Sequence, residues 1–255
     1  MRLAATVMLV RPAEGAGGFD VFMLRRSAQS VFVPDVYVFP GGTLDPQDSS
    51  PEARARTRGL EGPGVRDAYR AQGAGLMVTA LRELFEEAGV LLACDANGRP
   101  LGHADLSERA QRLVSARQSL QSGEMAFADI LAQLDLYADA SALTLFSRWI
   151  TPPSEPRRYD AYFFIARASR DQVARADARE THDGVWIAPR EALERRDAES
   201  FRLVYPTVKH LERLAAFRDA DALLEFARSK PIFSIMPQGT PERGFSIPAE
   251  LEHTW

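Results

Sequence analysis

One amphipathic segment limits what this chain can fold into more than any other part of the sequence. Residues 75–88 predict a helix that ends at Gly89, where a C-terminal cap is expected. Within this segment Met77, Leu81 and Leu84 recur at helical spacing. At about 100° per residue, Leu81 and Leu84 fall within roughly 40° of Met77. The segment therefore predicts a helix with one face directed at a hydrophobic core.

The opposite face of the same helix is acidic. Glu83, Glu86 and Glu87 fall at roughly 180° to 280° from Met77. Like charges three and four residues apart repel by a few tenths of a kcal/mol per pair, so something should offset the repulsion. A solvated surface with counterions is one answer, and a hard divalent cation such as Mg²⁺ is the other. The spacing alone does not choose between them.

Short runs rich in Val, Leu and Phe predict β-strands elsewhere in the chain. Runs 3–11 and 20–25 flank a turn with three glycines, so they predict a hairpin. Further strands are predicted at 36–39, 90–92, 143–150, 160–166 and 184–187, and further helices at 105–120, 126–136, 189–195, 205–217 and 219–227. The two helices between 105 and 136 predict a packed helical hairpin, with a cover over a substrate pocket as the alternative.

The acidic helix carries a motif. Residues 82–90, RELFEEAGV, match the second half of the Nudix hydrolase signature, G-x5-E-x7-R-E-U-x-E-E-x-G-U, where U is aliphatic. Residues 39–42, FPGG, resemble the usual start of that box. Asp48 stands six residues after Gly42, where the family has Glu. The chain therefore resembles the Nudix superfamily.

The box is split by a long insertion. Thirty-three residues separate Asp48 from Arg82, where the standard box has seven. This resembles the branch that includes the peroxisomal and mitochondrial coenzyme A diphosphatase of mammals and its bacterial relatives. Upstream, residues 24–27, LRRS, stand at the spacing of the coenzyme A motif of Nudix enzymes. The Arg expected next in that motif is Val31, and the following Gly is Asp35.

The resemblance implies a fold and a domain organisation. The expected fold class is α+β, a mixed β-sheet sandwiched between α-helices, in a single Nudix domain over residues 1–230. An insertion within the box is expected over about 49–74 and a helical insertion over about 104–138. Residues 231–255 are expected to pack on the domain as a C-terminal tail. We also expect the box insertion to lie outside the sheet, where long loops cost little closure entropy.

The resemblance also implies the chemistry of the box. Nudix enzymes hydrolyse a nucleoside diphosphate linked to another group, with Mg²⁺ or Mn²⁺ as the cofactor. By resemblance, Glu86 and Glu87 are the principal metal ligands. Glu83 is a further ligand or orders water, and Gly42 contributes its backbone carbonyl. Arg82 matches an arginine that orients a box carboxylate, and a solvated helix face is the alternative for these charges.

Candidate residues outside the box are less constrained. Glu180 lies just before the predicted strand at 184–187 and is the candidate general base; Asp183 is a second candidate. Arg157 and Arg158 could bind a phosphate, and Tyr159 beside them could stack on a base. A solvated loop with an ordinary tyrosine is the alternative.

The leading substrate is coenzyme A or an acyl-CoA. Expected products are 3′,5′-ADP and 4′-phosphopantetheine or its acylated form, with Arg26 as the candidate that recognises the 3′-phosphate. NADH, ADP-ribose and capped RNA are alternatives within the class. A catalytically silent nucleotide-binding sensor domain is the alternative of another class. Intact Glu83, Glu86 and Glu87 argue against silence, whereas Asp48 in place of Glu favours it.

Amino-acid composition restricts which binding partners and which cellular compartment we expect. The chain has 31 basic and 35 acidic residues and a net charge of −4, which disfavours a generally basic nucleic-acid binder. No run of about 18 apolar residues exists, and the apolar start predicts a buried strand rather than a signal peptide. The one cysteine, Cys94, fits a reducing compartment. We expect a cytoplasmic protein with a small-molecule nucleotide substrate, without DNA or membrane partners; a homodimer is left open.

Overall fold

A computed structural model describes residues 1–14, 17–27, 34–61, 72–168, 174, 181–240, 243–252 and 254–255. The strands in these ranges are β1 (Arg2–Pro12), β2 (Phe19–Arg26), β3 (Tyr37–Val38), β4 (Gly41–Thr43), β5 (Thr57–Arg58), β6 (Ala93–Cys94), β7 (Tyr137–Asp139), β8 (Thr144–Ile150), β9 (Tyr159–Arg167), β10 (Thr181–Ile187), β11 (Ser234–Ile235), β12 (Gln238–Thr240) and β13 (Gly244–Ser246). The α-helices are α1 (Pro51–Ala55), α2 (Gly73–Ala88), α3 (His103–Ser107), α4 (Ala110–Gln121), α5 (Phe127–Gln133), α6 (Pro189–Asp197), α7 (Tyr205–Leu214) and α8 (Ala220–Ser229).

The main sheet is mixed and has eight strands in the order β10–β2–β1–β9–β8–β11, with β3 paired to β2 and β4 paired to β1. The predicted hairpin is confirmed: β1 and β2 pair antiparallel, with Val10 opposite Val21. β1 also pairs with β9 in parallel along nine residues, from Arg2 opposite Tyr159 to Val10 opposite Arg167. β1 therefore lies in the interior of the main sheet. It pairs with β9 along one side and with both β2 and β4 along the other.

Helices cover both faces of this sheet. Because side chains alternate along a strand, Val7 and Leu9 of β1 join α2 in one core, and Met8 and Val10 join α7 and α8 in a second core. All four side chains are completely buried. The expected arrangement of a mixed sheet sandwiched between helices is confirmed. None of the helices in the described part of the chain has both the length and the apolar surface that crossing a bilayer requires.

The described residues of the box insertion lie outside the main sheet, as predicted, but residues 51–58 are not a loop. Ala53 of α1 and Thr57 of β5 are buried, and the Thr57 hydroxyl donates to the Ala53 carbonyl at 2.8 Å. β5 pairs in parallel with β7, and β7 pairs with β6, in a separate three-stranded sheet. Residues 51–58 therefore contribute a helix, a strand and buried side chains rather than an irregular loop.

The helical insertion is packed against α2. The predicted hairpin is present as α4 and α5, and Phe127 of α5 lies 6.3 Å from Phe85 of α2 between ring centroids. Two local predictions are wrong. No strand forms at 90–92, where β6 begins only at Ala93, and the helix predicted from 105 begins at His103. Asp105 is its third residue and accepts the Gly102 backbone N–H at 2.9 Å.

A buried histidine lies in the second core. His210 of α7 is completely buried and stacks on Phe163, with 4.1 Å between ring centroids. Its Nδ1 lies 2.7 Å from the Pro206 carbonyl, which can only accept, so Nε2 is left to accept the Ser147 hydroxyl at 2.7 Å. Burial lowers the pKa of His210 to about 3; the Pro206 carbonyl opposes this shift, and the charge of Lys230 adds to it.

This histidine predicts acid sensitivity. An unfolded histidine titrates near 6.5, so below that pH the unfolded state binds a proton that the folded state does not bind until about pH 3. Stability from this group therefore falls as pH drops, by about 2 kcal/mol between pH 6.5 and 5. Urea unfolding at both pH values should show that His210→Gln loses less stability than wild type over this interval. Equal losses in both proteins would contradict the assignment.

Candidate catalytic and metal-binding site

The site is built where β4 meets the middle of α2. A Cβ on Gly41 would lie 2.5 Å from the Ala5 carbonyl oxygen, and a Cβ on Gly42 would lie 2.1 Å from Glu83 Oε1. A side chain at Gly41 would therefore collide with the β1 backbone, and one at Gly42 would take the space that the Glu83 carboxylate occupies. The Gly41 N–H donates to Glu87 Oε2 at 2.8 Å, which ties the acidic face of α2 to β4.

Asp48 joins the two halves of the split box. It lies in a 3₁₀ turn, Pro46–Ser49, and is 2% exposed. Arg82 grips it with two bonds, Nε to Oδ1 at 2.9 Å and Nη2 to Oδ2 at 3.0 Å. The Thr79 hydroxyl and the Asp45 backbone N–H donate to Oδ2 at 2.7 and 3.2 Å. Asp48 is thus an anchor, because both of its carboxylate oxygens accept hydrogen bonds from the groups around it.

Arg82 also contacts two further carboxylates and a backbone carbonyl of the site. Its Nη1 lies 2.9 Å from Glu83 Oε1 and 3.0 Å from Glu86 Oε2, and its Nη2 donates to the Thr43 carbonyl at 3.3 Å. Burial opposes its charge, but the bond to Asp48 and the neighbouring carboxylates raise its pKa above the ordinary value. Arg82 therefore stays charged beside the carboxylates of Glu83 and Glu86.

The carboxylates remain crowded despite this arginine. Burial raises the pKa of Glu83 to about 7; Arg82 opposes the shift, and the charges of Glu86 and Asp48 add to it. Within the described ranges, no three acidic, histidine or cysteine side chains converge closely enough to form a ready metal centre. The donor chemistry nevertheless fits a divalent cation, because hard oxygens are what Mg²⁺ prefers and a cation would relieve the repulsion.

The upstream motif is locally rearranged. Asp35, which stands where the motif has Gly, adopts a left-handed conformation with φ 59°, one that Asp tolerates better than most residues. Its carboxylate binds Arg25, with Nε donating at 2.8 Å. Arg26 ends β2 beside this pair. Val31 lies outside the described residues.

The structure describes most of the candidates outside the box. Glu180 lies outside the described residues, and Asp183 lies within β10 rather than before a strand, 3.9 Å from Arg25 Nη1. Arg158 Nε donates to the Thr151 carbonyl at 3.0 Å and so closes the β8–β9 turn. Arg157 lies in the same turn. Alternation along β9 places Tyr159 on the face opposite α2.

One contributor to the site escaped the sequence analysis. Thr79 is completely buried, and its one hydroxyl hydrogen is shared between Asp48 Oδ2 at 2.7 Å and the Gly75 carbonyl at 3.0 Å. Its place three residues before Arg82 on a helix was the available signal.

An open cleft of about 540 Å³ lies apart from the box. Its lining includes Tyr205, Lys209 and Phe245, next to the second core. It contains none of the box residues, so the cleft is not part of the candidate site.

Comparison with known proteins supports the motif. A family model described as the NUDT19 Nudix domain matches residues 69–214. The chicken (Gallus gallus) protein named acyl-coenzyme A diphosphatase NUDT19 is 29% identical over 274 aligned positions, which cover 91% of this chain and 72% of that protein. The human protein of the same name is also 29% identical, with coverage of 87% and 66%. The chain thus spans roughly two thirds to three quarters of these relatives.

A solved structure supports the fold. The Nudix hydrolase from Alicyclobacillus acidocaldarius superposes with a TM-score of 0.70 at 27% identity, covering 88% of this chain and 96% of that chain. The predicted Nudix fold is confirmed.

The anchor role of Asp48 can be tested by stability. Asp48→Ala removes the buried carboxylate that Arg82 Nε and Nη2 bind, so the free energy of unfolding should fall by about 1–3 kcal/mol. Asp45→Ala is the matched control, since this exposed residue caps the same turn, with Oδ1 accepting the Gln47 N–H. Its loss should cost about 1 kcal/mol or less. Urea titrations in which both variants lose the same free energy of unfolding would refute the anchor role of Asp48.

Proposed function

Because the chain belongs to the NUDT19 Nudix domain family, we propose that it is a metal-dependent diphosphatase that hydrolyses coenzyme A or an acyl-CoA. The products are 3′,5′-ADP and 4′-phosphopantetheine or its acylated form. The observation that carries the proposal is the assembled box, in which Asp48 and Arg82 join both halves while Glu83, Glu86 and Glu87 share one face. The substrate class rests on the names of the relatives.

We assign the metal to the acidic face of α2. Nudix hydrolases generally use divalent cations, and Mg²⁺ or Mn²⁺ is proposed here, held by Glu86 and Glu87 with Glu83 and the Gly42 carbonyl beside them. When bound, the cation neutralises phosphoryl charge and acidifies or orients the attacking water.

The chain's own contribution is orientation. Arg82, held by Asp48, keeps the Glu83 and Glu86 carboxylates on one side of the helix. The Gly41 N–H keeps Glu87 against β4. Groups held in place before substrate binds lose little entropy during the reaction, which lowers the barrier. Glu180 remains the proposed general base.

A second candidate substrate is favoured by one observation. Asp35 neutralises Arg25 of the upstream motif, and Asp183 adds a second carboxylate nearby. A weaker positive field at this point favours a nucleoside diphosphate derivative without a 3′-phosphate, such as NADH or ADP-ribose; capped RNA remains untested. The occupied anchor at Asp48 removes the argument for a silent sensor domain that rested on its replacing Glu.

Several assignments stay predictions. Arg157, Arg158 and Tyr159 as substrate contacts, the single domain over 1–230, a cytoplasmic location, the absence of DNA binding and a homodimer are not tested by the fold or the relatives. A small-molecule nucleotide substrate fits a Nudix enzyme.

Removal of one carboxylate tests the metal assignment. Glu87→Gln should keep the fold, since this side chain faces away from the core, yet lower kcat by orders of magnitude through loss of a metal ligand. The rate at which products form from coenzyme A is measured at saturating Mg²⁺, with Glu52→Gln, at an exposed position of α1, as the control. Near wild-type turnover of Glu87→Gln would show that the metal assignment is wrong.

Substrate choice is tested by comparing coenzyme A with 3′-dephospho-coenzyme A. If Arg26 recognises the 3′-phosphate, wild type should prefer coenzyme A by about ten- to hundredfold in kcat/KM, since a charge-assisted contact contributes about 1.5–3 kcal/mol. Arg26→Ala should lose that preference with little change on the dephospho form. Equal kcat/KM for both substrates in wild type would favour the second candidate.

A further inference from the structure

The C-terminal end of α2 lies directly behind the acidic face. Gly89, at φ 68°, ends the helix, and its N–H donates to the Phe85 carbonyl at 2.9 Å. The last carbonyls of any α-helix point beyond its own hydrogen-bond ladder and need partners from elsewhere. At this end those carbonyls belong to Glu86 and Glu87, the two proposed metal ligands.

Two side chains of the helical insertion donate hydrogen bonds to these carbonyls. Arg117 of α4 donates from Nε to the Glu86 carbonyl at 2.8 Å and from Nη2 to the Glu87 carbonyl at 2.7 Å. Gln121, one helical turn later on the same face, donates from Nε2 to the Glu86 carbonyl at 2.9 Å. The planar guanidinium thus spans two successive peptide groups, which a lysine ammonium cannot reproduce.

Gly89 makes room for this contact. A Cβ at this position would lie 2.9 Å from Arg117 Nη1. The left-handed backbone of Gly89 favours glycine, and the absence of a side chain leaves space for the Arg117 guanidinium.

We propose that Arg117, assisted by Gln121, is a positioning residue that sets where the Glu86 and Glu87 carboxylates stand and so sets the affinity for the metal. The proposal rests on the metal-dependent function above. The side chains are fixed at their tips by Arg82 and by the Gly41 N–H. The backbone of Glu86 and Glu87 is fixed only if the carbonyls of the last helical turn are hydrogen-bonded. A positive charge at the C-terminus of a helix also interacts favourably with the helix dipole.

The competing explanation is an ordinary helix cap that only stabilises the fold. The chain offers a matched control in the same helix. Arg112 Nη2 donates to the Gln133 carbonyl at 2.9 Å and so caps the end of α5. Arg112→Met removes the same type of side chain and the same kind of cap, away from the box.

The experiment measures Mn²⁺ binding to the substrate-free full chain by electron paramagnetic resonance, together with kcat and KM for coenzyme A. Arg117→Met should weaken Mn²⁺ binding by about tenfold and lower kcat by about ten- to hundredfold, because a small misplacement of catalytic groups costs that much. KM should change by less than about threefold. Arg117→Lys should recover part of both losses, and Arg112→Met should stay within about twofold of wild type in each.

Two outcomes would overturn the positioning role. One is a folded Arg117→Met protein whose Mn²⁺ affinity and kcat match those of Arg112→Met. If Arg117→Met does not fold, the test uses Gln121→Ala, which removes one of the three hydrogen bonds to the two carbonyls. A Gln121→Ala protein with the same Mn²⁺ affinity as Arg112→Met would then overturn the positioning role. A wild type that binds no Mn²⁺ would instead overturn the metal assignment. A wild type that binds Mn²⁺ without hydrolysing coenzyme A would overturn only the proposed substrate.

Discussion

The site depends on one buried ion pair, between Asp48 and Arg82. Two parallel hydrogen bonds join a carboxylate that is 2% exposed to a guanidinium that is 13% exposed, so neither group is fully hydrated. Removing one partner of such a pair leaves the other charge uncompensated, which is why buried pairs are costly to break. Through this contact the 3₁₀ turn before the insertion is held against α2 after it. The box is continuous in space although it is discontinuous in sequence.

Close approach is the second constraint, and glycine provides it. Gly41 brings β4 against the β1 backbone at a distance that no side chain would permit, and Gly42 leaves space for the Glu83 carboxylate. Glu87 then reaches the Gly41 N–H, and Glu83 lies against Gly42. The result is a set of carboxylates held closer than their charges favour, with Arg82 offsetting part of the repulsion. A divalent cation is the natural complement of such a set.

The two insertions support this arrangement from different sides. The first part of the box insertion buries Ala53 and Thr57 and adds a strand beside β7. The helical insertion packs Phe127 near Phe85 and places Arg117 at the end of α2. Neither is a simple surface excursion, because each contributes buried side chains to the core around the acidic helix. This explains why a chain with an interrupted box can still present intact box geometry.

The sequence alone determined the helix, its acidic face and the family, because these depend on local spacing: Glu83, Glu86 and Glu87 must share a face on any α-helix, and RELFEEAGV is a local signature. It also predicted the β1–β2 hairpin from the glycine-rich turn between two apolar runs. Only the tertiary structure decided that Asp48 is an anchor, that Thr79 supports it and that Arg117 closes the helix. Asp48 is 31 positions from Thr79 and 34 positions from Arg82 in the sequence. Glu86 and Arg117 are also 31 positions apart. No local pattern encodes such pairings, because chain closure and packing against the sheet bring the partners together.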